Sequence, residues 1–425
     1  MEKPNLMRLL PRVGLTDLPS SAIWKRSDCL AGAVIAVAFG LAPAVLVLLT
    51  FDEVLTPIQL QARSLATPIL LMEIAVIVYA LLEGLKLPRI VALPSAALVM
   101  LLALAWVTVV NSPLASAGII RTAIWTIHML FGFSIVNLIR CGQLRREDFP
   151  PAIAFGFVVF NFLFVAFVVS VHRADYDWID AMPAYSNIRW LGFYSTAVFG
   201  ICAAVYTGNR HLYAAVAVLA LGIAVWSGSR GTIYSILAGY TVAIALFPEM
   251  RSGWRRVAMI VAAGIAVGAA LTAVLPMGMG AERLSDTSSS GRVEIWTATL
   301  PYIQLRPFFG WGEGQMLWMP QAKGVFVHPH NVILQVLLAW GMVGLAIIAG
   351  LSLWLARQLF PQISRDDLPF VLPVLMITAF SLIDGALFHV QSVATFVLLL
   401  SLLAAGKVSS RASISADGYP YRQLS

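Results

Sequence analysis

The 425-residue sequence predicts an all-α polytopic membrane protein of about twelve transmembrane helices, with a larger periplasmic loop before the tenth. Three observations predict it. The chain is 60% apolar and 12% charged, whereas a soluble protein carries roughly 25% charged residues. Its mean hydropathy is +0.85. Its apolar residues also come in solid runs of about 20, the length that crosses ~30 Å of hydrocarbon. A membrane β-barrel would alternate polar and apolar residues instead.

The elements follow in order. Residues 1–28 are a basic, polar cytoplasmic segment. The run at 29–50 comes next and carries a small-residue site, Ala42-Pro43-Ala44. Both the leading segment and the run are longer than those of a cleavable signal, so the run reads as an uncleaved anchor. Spans at 65–82, 90–110, 120–139 and 151–171 follow, and the inner loops among them are short and basic. The first of two substantial outer loops, 172–189, precedes spans at 190–208, 212–227, 231–248 and 256–276. The second outer loop, 277–330, is the longest polar stretch. Within it, IWTATLPYIQL has helical spacing and predicts a helix on the membrane surface. Arg306-Pro307 with Gly310, Gly312 and Gly314 predicts a tight loop. The last spans are 331–356, 369–388 and 390–406, the final two separated by a very short turn at His389. A cytoplasmic tail, 407–425, completes one membrane domain, 29–406.

Basic residues test the orientation, because they favour the cytoplasmic side. With both termini inside, 19 of the 28 Lys and Arg fall on the inner side and 9 on the outer. This bias also accounts for much of the net charge of +7, so no nucleic-acid partner is needed to explain it. Cys29, Cys141 and Cys202 show no metal-ligand spacing and no expected disulfide.

Chemistry concentrates on the outer side. His328-Pro329-His330-Asn331 stands at the mouth of an apolar run, and ten residues separate His330 from Gly341. An unperturbed imidazole titrates near pH ~6.5, which suits His330 to act as a base. His328 reads as its orienting partner. Asn331 either caps the helix or binds sugar hydroxyls. Arg230 sits in Trp226-Ser227-Gly228-Ser229-Arg230-Gly231, which leaves almost no loop between two runs. Its charge must meet an anion or a water-filled cavity. Arg189, Arg230 and Arg292 share this side with His330, and guanidinium forks suit a diphosphate. The alternative for each is snorkelling to lipid phosphate. Asp175-Tyr176-Asp177 has a metal-binding form but reads as a solvated loop. Glu73 and Asp384 fall inside spans, where a carboxylate is either functional or paired within the bundle. GWGEGQ lacks the Lys-Ser/Thr ending of a phosphate loop.

At these residues the chain resembles the O-antigen ligase and polymerase superfamily of bacterial envelope glycosyltransferases. Ser227-Gly228-Ser229-Arg230-Gly231 is similar to its S-R-G element. Gly291-Arg292-Val293-Glu294-Ile295-Trp296, leading to Pro307 through Gly312, is similar to G-R-x-x-x-W … P-x-x-G-x-G. His328-Pro329-His330-Asn331 with Gly341 and Gly344 is similar to H-x-H-N … G-x-x-G. Arg189-Trp190-Leu191-Gly192-Phe193 is similar to R-x-x-G-x-F, although Tyr194-Ser195 replaces the usual Pro-Asn. The blocks cover residues 189 to 345, and the spacing leans towards the ligase branch.

The resemblance implies an inner-membrane enzyme with a periplasmic site. The implied donor is a polyprenyl (undecaprenyl) diphosphate-linked glycan, and the implied acceptor is a sugar hydroxyl of lipid A-core. A polymerase would use the same chemistry on another acceptor. His330 would be the general base, with Arg230 and Arg292 on the diphosphate. Arg189, Arg283, His328, Asn331, Glu294 and Trp296 would bind substrate. No cofactor or metal is implied. A twelve-span transporter is the competing class, and Glu73 and Asp384 are the features that favour it.

Overall fold

A computed structural model of the chain describes residues 20–49, 58–84, 92–110, 112–171, 184, 188–206, 210–275, 284, 291–318 and 328–416. Arg283, the Asp175–Asp177 pair and most of both expected outer loops lie outside the described residues, as does the end of the tail.

Each of the twelve apolar runs falls on a helix. These are α1 (Ser20–Leu49), α2 (Ile58–Leu82), α3 (Ala92–Val110), α4 (Ala115–Arg140), α5 (Phe149–Val171), α6 (Ile188–Tyr206), α7 (His211–Trp226), α8 (Arg230–Leu246) and α9 (Trp254–Val274). After α10 (Arg292–Leu305) come α11 (Val332–Leu359), α12 (Leu368–Ser381) and α13 (Val390–Ala416). No strand occurs among the described residues. By length and composition, five helical stretches suffice to cross a membrane: Leu30–Leu49, Ala115–Arg140, Arg146–Ser170, Trp254–Val274 and Val332–Gln362. The other apolar helices are shorter.

The bundle is apolar outside as well as inside. Leu82, Val110, Phe162, Leu212 and Val274 are each at least 75% exposed. In water such a surface would drive aggregation; in lipid it costs nothing. Inside, Phe157, Phe160, Phe164 and Trp226 are almost fully buried, and the Phe160 and Phe164 rings stack at 5.9 Å. Helix contacts use small residues, as membrane packing favours. A Cβ on Gly156 would fall 1.7 Å from the Gly40 carbonyl oxygen, so α1 and α5 meet backbone to backbone.

The helices alternate between two ends. At one end, Arg146 donates to Asp367 at 2.7 Å, joining the α4–α5 and α11–α12 connections. Gln143 donates to Glu83 at 3.2 Å there, bringing in the end of α2. At the other end, the starts of α4, α6, α8 and α11 meet the end of α12 or the turn that follows it.

Two elements depart from the sequence reading. The run 369–388 was expected to be one span with a turn at His389. Instead α12 stops at Ser381, and residues 382–389 form an irregular turn with one 3-10 segment, Ala386–Phe388. Asp384-Gly385 breaks the helix: the Asp384 carboxylate accepts the Gly385 N–H at 2.7 Å. Asp384 therefore lies at a helix end and not within a span.

The second departure is a break in α11 at Gly341, whose φ of 62° and ψ of −162° are not helical. Continuous helix would bond the Met342 and Val343 N–H groups to Leu338 and Ala339 oxygens. The loop after α10 supplies substitutes for all four groups. Met342 N–H donates to Pro307 O at 2.8 Å and Val343 N–H to Phe308 O at 3.1 Å. Trp311 N–H donates to Leu338 O, and Gly312 N–H to Ala339 O, both at 2.8 Å. The stretch from Gly341 to Leu359 rises about 27 Å at ~1.5 Å per residue, close to a hydrocarbon thickness on its own. The break thus separates a membrane-length piece from a shorter piece that carries the histidine loop.

Candidate functional site

His330 is the residue around which the polar end of the bundle is organised. Its backbone φ is +53°, a left-handed conformation rare for a side chain of this size. Three contacts hold the loop in it. The His330 N–H donates to His328 Nδ1 at 3.2 Å. Trp296 on α10 donates its indole N–H to Pro329 O at 2.9 Å. Asn331 caps α11, its Oδ1 accepting the Ile333 and Leu334 N–H groups at 2.9 and 3.1 Å. The Asn331 amide also donates to Leu382 O at 2.8 Å, tying the cap to the end of α12. Of the two roles left open for Asn331, the structure displays the cap.

This conformation directs the imidazole to Asp384. His330 Nδ1 lies 3.0 Å from Asp384 Oδ1. Arg292 Nη2 donates to Asp384 Oδ2 at 2.9 Å. Both carboxylate oxygens are therefore engaged, and Asp384 is 6% exposed. A carboxylate accepts only, so the shared proton sits on His330 Nδ1 when the ring is neutral. Nε2 is then the unprotonated nitrogen. The His330 side chain keeps 14% of its surface accessible, enough for a reacting group to approach.

Sequence reasoning identified His330 and Arg292 but assigned Asp384 to a span. The usable signal was the Asp384-Gly385 pair, a turn signature inside an otherwise apolar run.

His328 is almost fully buried, at 4% exposure. It packs on the Phe388 ring at 4.7 Å and on His389 at 5.1 Å. A Cβ on Gly385 would fall 1.7 Å from His328 Cε1, so glycine is required there for the ring to fit. His389 in turn stacks on Trp190 of α6 at 3.7 Å. Burial holds the imidazoles of both His328 and His389 well below the usual histidine range, and the neighbouring Arg121 and His330 lower both further.

A stability prediction follows from that direction. The unfolded chain takes up protons on both rings as pH drops through about 6.5, while the folded chain does not. Stability is therefore intact above that pH and is lost as pH falls below it, by up to about 1.4 kcal/mol per pH unit for each ring. Thermal unfolding in detergent between pH 7.5 and 5.5 checks this. His389→Gln should flatten the slope, and an unchanged slope would contradict the assignment.

The remaining expected residues are placed as follows. Arg230 opens α8 and is half-buried. Its neighbour Gly231 abuts the Phe380 ring, four residues before Asp384. Thr232, in the first turn of α8, donates to Gly192 O at 2.7 Å, which fixes α8 against α6. Arg189 stands in the first turn of α6, but its side chain lies outside the described residues. Glu294 is exposed on α10. Glu73, the other carboxylate expected within a span, faces His128 at 2.8 Å, with both side chains at 1% exposure or less.

Known proteins add one finding. Residues 215–349 match the family model described as O-antigen ligase. The matched stretch includes Arg230, Arg292, His328, His330 and Asn331, and it ends before Asp384. Over that stretch the superfamily resemblance is borne out. No curated protein matches the chain.

Proposed function

We propose that this helical membrane protein, with its O-antigen ligase-type stretch at 215–349, is a glycosyltransferase that uses a lipid-linked donor. The observation that carries the reading is the chain His330–Asp384–Arg292, with contacts of 3.0 and 2.9 Å. The donor is a polyprenyl (undecaprenyl) diphosphate-linked glycan, and the acceptor is a sugar hydroxyl of lipid A-core. The site faces the periplasm, and about twelve spans carry it in the inner membrane.

His330 Nε2 takes the proton of the acceptor hydroxyl. The acceptor oxygen then attacks the anomeric carbon. The bond from that carbon to the diphosphate oxygen breaks, and its electron pair leaves with the diphosphate. A single displacement inverts the anomeric configuration. Asp384 fixes the tautomer in which Nε2 is unprotonated, and it stabilises the imidazolium that forms, as a buried carboxylate does in other base-catalysed transfers. Arg230, together with the Arg292 donors that Asp384 does not use, binds the diphosphate and meets its developing charge. Cations organised in advance at a leaving group often supply the largest catalytic effect. His328, Trp296 and Asn331 hold the loop, and the substrate contacts expected of them are indirect.

A cavity of about 340 Å³, lined by Leu104, Val107, Phe308 and Phe309 together with Thr108 and Arg306, is read as room for part of the lipid chain. It lies beyond the far end of α10 from Arg292, about 20 Å along the helix. Asp384, on which a transporter reading would rest, is bonded to Arg292 and His330.

The test uses purified protein, polyprenyl diphosphate-linked glycan and lipid A-core, with no gradient, nucleotide or added metal. Glycan is expected on lipid A-core, and EDTA is expected to leave the rate unchanged. Longer polyprenyl-linked chains would instead assign a polymerase with the same chemistry. Formation of neither product would overturn the transferase reading.

A further inference from the structure

Glu313, in the GWGEGQ segment, is a carboxylate that the reaction above does not use. It is 1% exposed. It stands between Gly312 and Gly314, whose φ values of +88° and +74° turn the chain tightly enough to bring the carboxylate inward. Three side chains converge on it. Trp125 donates its indole N–H to Oε1 at 3.2 Å. Gln335, four residues beyond Asn331 on α11, donates to Oε2 at 3.4 Å. Arg121 Nε lies 3.8 Å from Oε2, an ion pair longer than a hydrogen bond. Arg121 and Trp125 are one turn apart on α4, so a single helix face supplies both.

The far end of Arg121 reaches the catalytic turn. Its Nη2 donates to Phe388 O at 2.7 Å, and its guanidinium carbon stands 3.7 Å over the Phe388 ring. Phe388 closes the 3-10 segment that begins two residues after Asp384, and it packs on His328. One guanidinium thus grips the turn between Asp384 and His389 by its carbonyl and by its ring. Arg121 can hold one rotamer only if its buried charge is balanced, and Glu313 is the carboxylate facing it. Burial raises the Glu313 carboxyl above its ordinary range while Arg121 pulls it back, as expected of a pair whose charges depend on each other.

We propose that Glu313 is a positioning residue for the His330–Asp384 pair, acting through Arg121 and its grip on the Gly385–His389 turn. The proposal deepens the transferase reading, and its turnover test rests on that reading. A second readout needs no substrate: the rate at which diethyl pyrocarbonate modifies His330 at neutral pH, followed by mass spectrometry. Exposed His211, at the start of α7, serves as the internal reference.

In Glu313→Gln, kcat is expected to fall about 10- to 100-fold, as small displacements of a catalytic group do, with KM nearly unchanged. The His330-to-His211 modification ratio should depart from wild type. Because Glu313 acts through Arg121, the double variant Glu313→Gln/Arg121→Met should be no slower than Arg121→Met. Wild-type turnover and wild-type His330 reactivity in Glu313→Gln would overturn the proposal. So would losses that multiply in the double variant. If Glu313→Gln is recovered unfolded, the charge-neutral double variant decides: wild-type His330 reactivity there overturns the proposal, and altered reactivity upholds it. If wild-type protein transfers no glycan, the function has failed, yet the His330 modification ratio still tests Glu313.

Discussion

Asp384→Asn is expected to lower turnover on the order of 10²- to 10⁴-fold while the protein remains folded and inserted. Asparagine has nearly the same shape, so packing survives. What changes is the pattern of donors. Asp384 now accepts from His330 Nδ1, from the Gly385 N–H and from Arg292. An amide offers one oxygen where the carboxylate offers two. If that oxygen stays on His330 and Gly385, the NH₂ group faces Arg292, donor against donor. If the amide flips, its NH₂ donates to His330 Nδ1 and forces the proton onto Nε2. That tautomer cannot accept the acceptor's proton. Either orientation loses an element of the mechanism. Single-turnover transfer by a variant that elutes as wild type in size-exclusion chromatography measures the effect. A near-wild-type rate would remove Asp384 from the chemistry.

Gly341→Ala is expected to destabilise the protein by about 3 kcal/mol or more and to abolish transfer with it. The φ of 62° and ψ of −162° at this position belong to a region open essentially to glycine. A Cβ there would also fall 2.3 Å from the Phe308 carbonyl carbon and 2.4 Å from its oxygen, against backbone that cannot swing aside. The 307–312 loop would have to leave, and the Met342 and Val343 N–H groups and the Leu338 and Ala339 carbonyls would lose their partners together. Buried backbone groups left unpaired are costly. Gly350→Ala, in the same helix with nothing within 4 Å of the added carbon, is the control. Thermal unfolding should separate the two variants, with Gly350→Ala at or above wild type. Equal melting temperatures would mean that the loop does not brace the break.

Much of this fold was legible in the sequence because hydropathy acts locally. Each apolar run became a helix, and the Arg306–Gly314 turn signals became positive-φ glycines. The histidine loop was legible for the same reason: two imidazoles and an amide at the mouth of an apolar run have few structural explanations. What escaped depends on partners distant in sequence. Asp384 was assigned to a span because SLIDGALF is apolar enough to continue one, and only folding sets it beside His330, 54 residues away. Arg121 and Glu313, 192 residues apart, had no local signal joining them. The H-x-H-N … G spacing was visible, but its physical meaning was not. Gly341 matters because Pro307, Gly310 and Gly312 form the loop that repairs the break, so two motifs read separately are halves of one brace.

The most direct test of the account compares wild-type protein with His330→Ala in the reconstituted transfer assay, at equal amounts of folded, inserted protein. The account predicts transfer to lipid A-core by wild type and a loss on the order of 10²- to 10⁴-fold in the variant, since the alanine removes the imidazole assigned to accept the proton. Full retained activity in His330→Ala would contradict it.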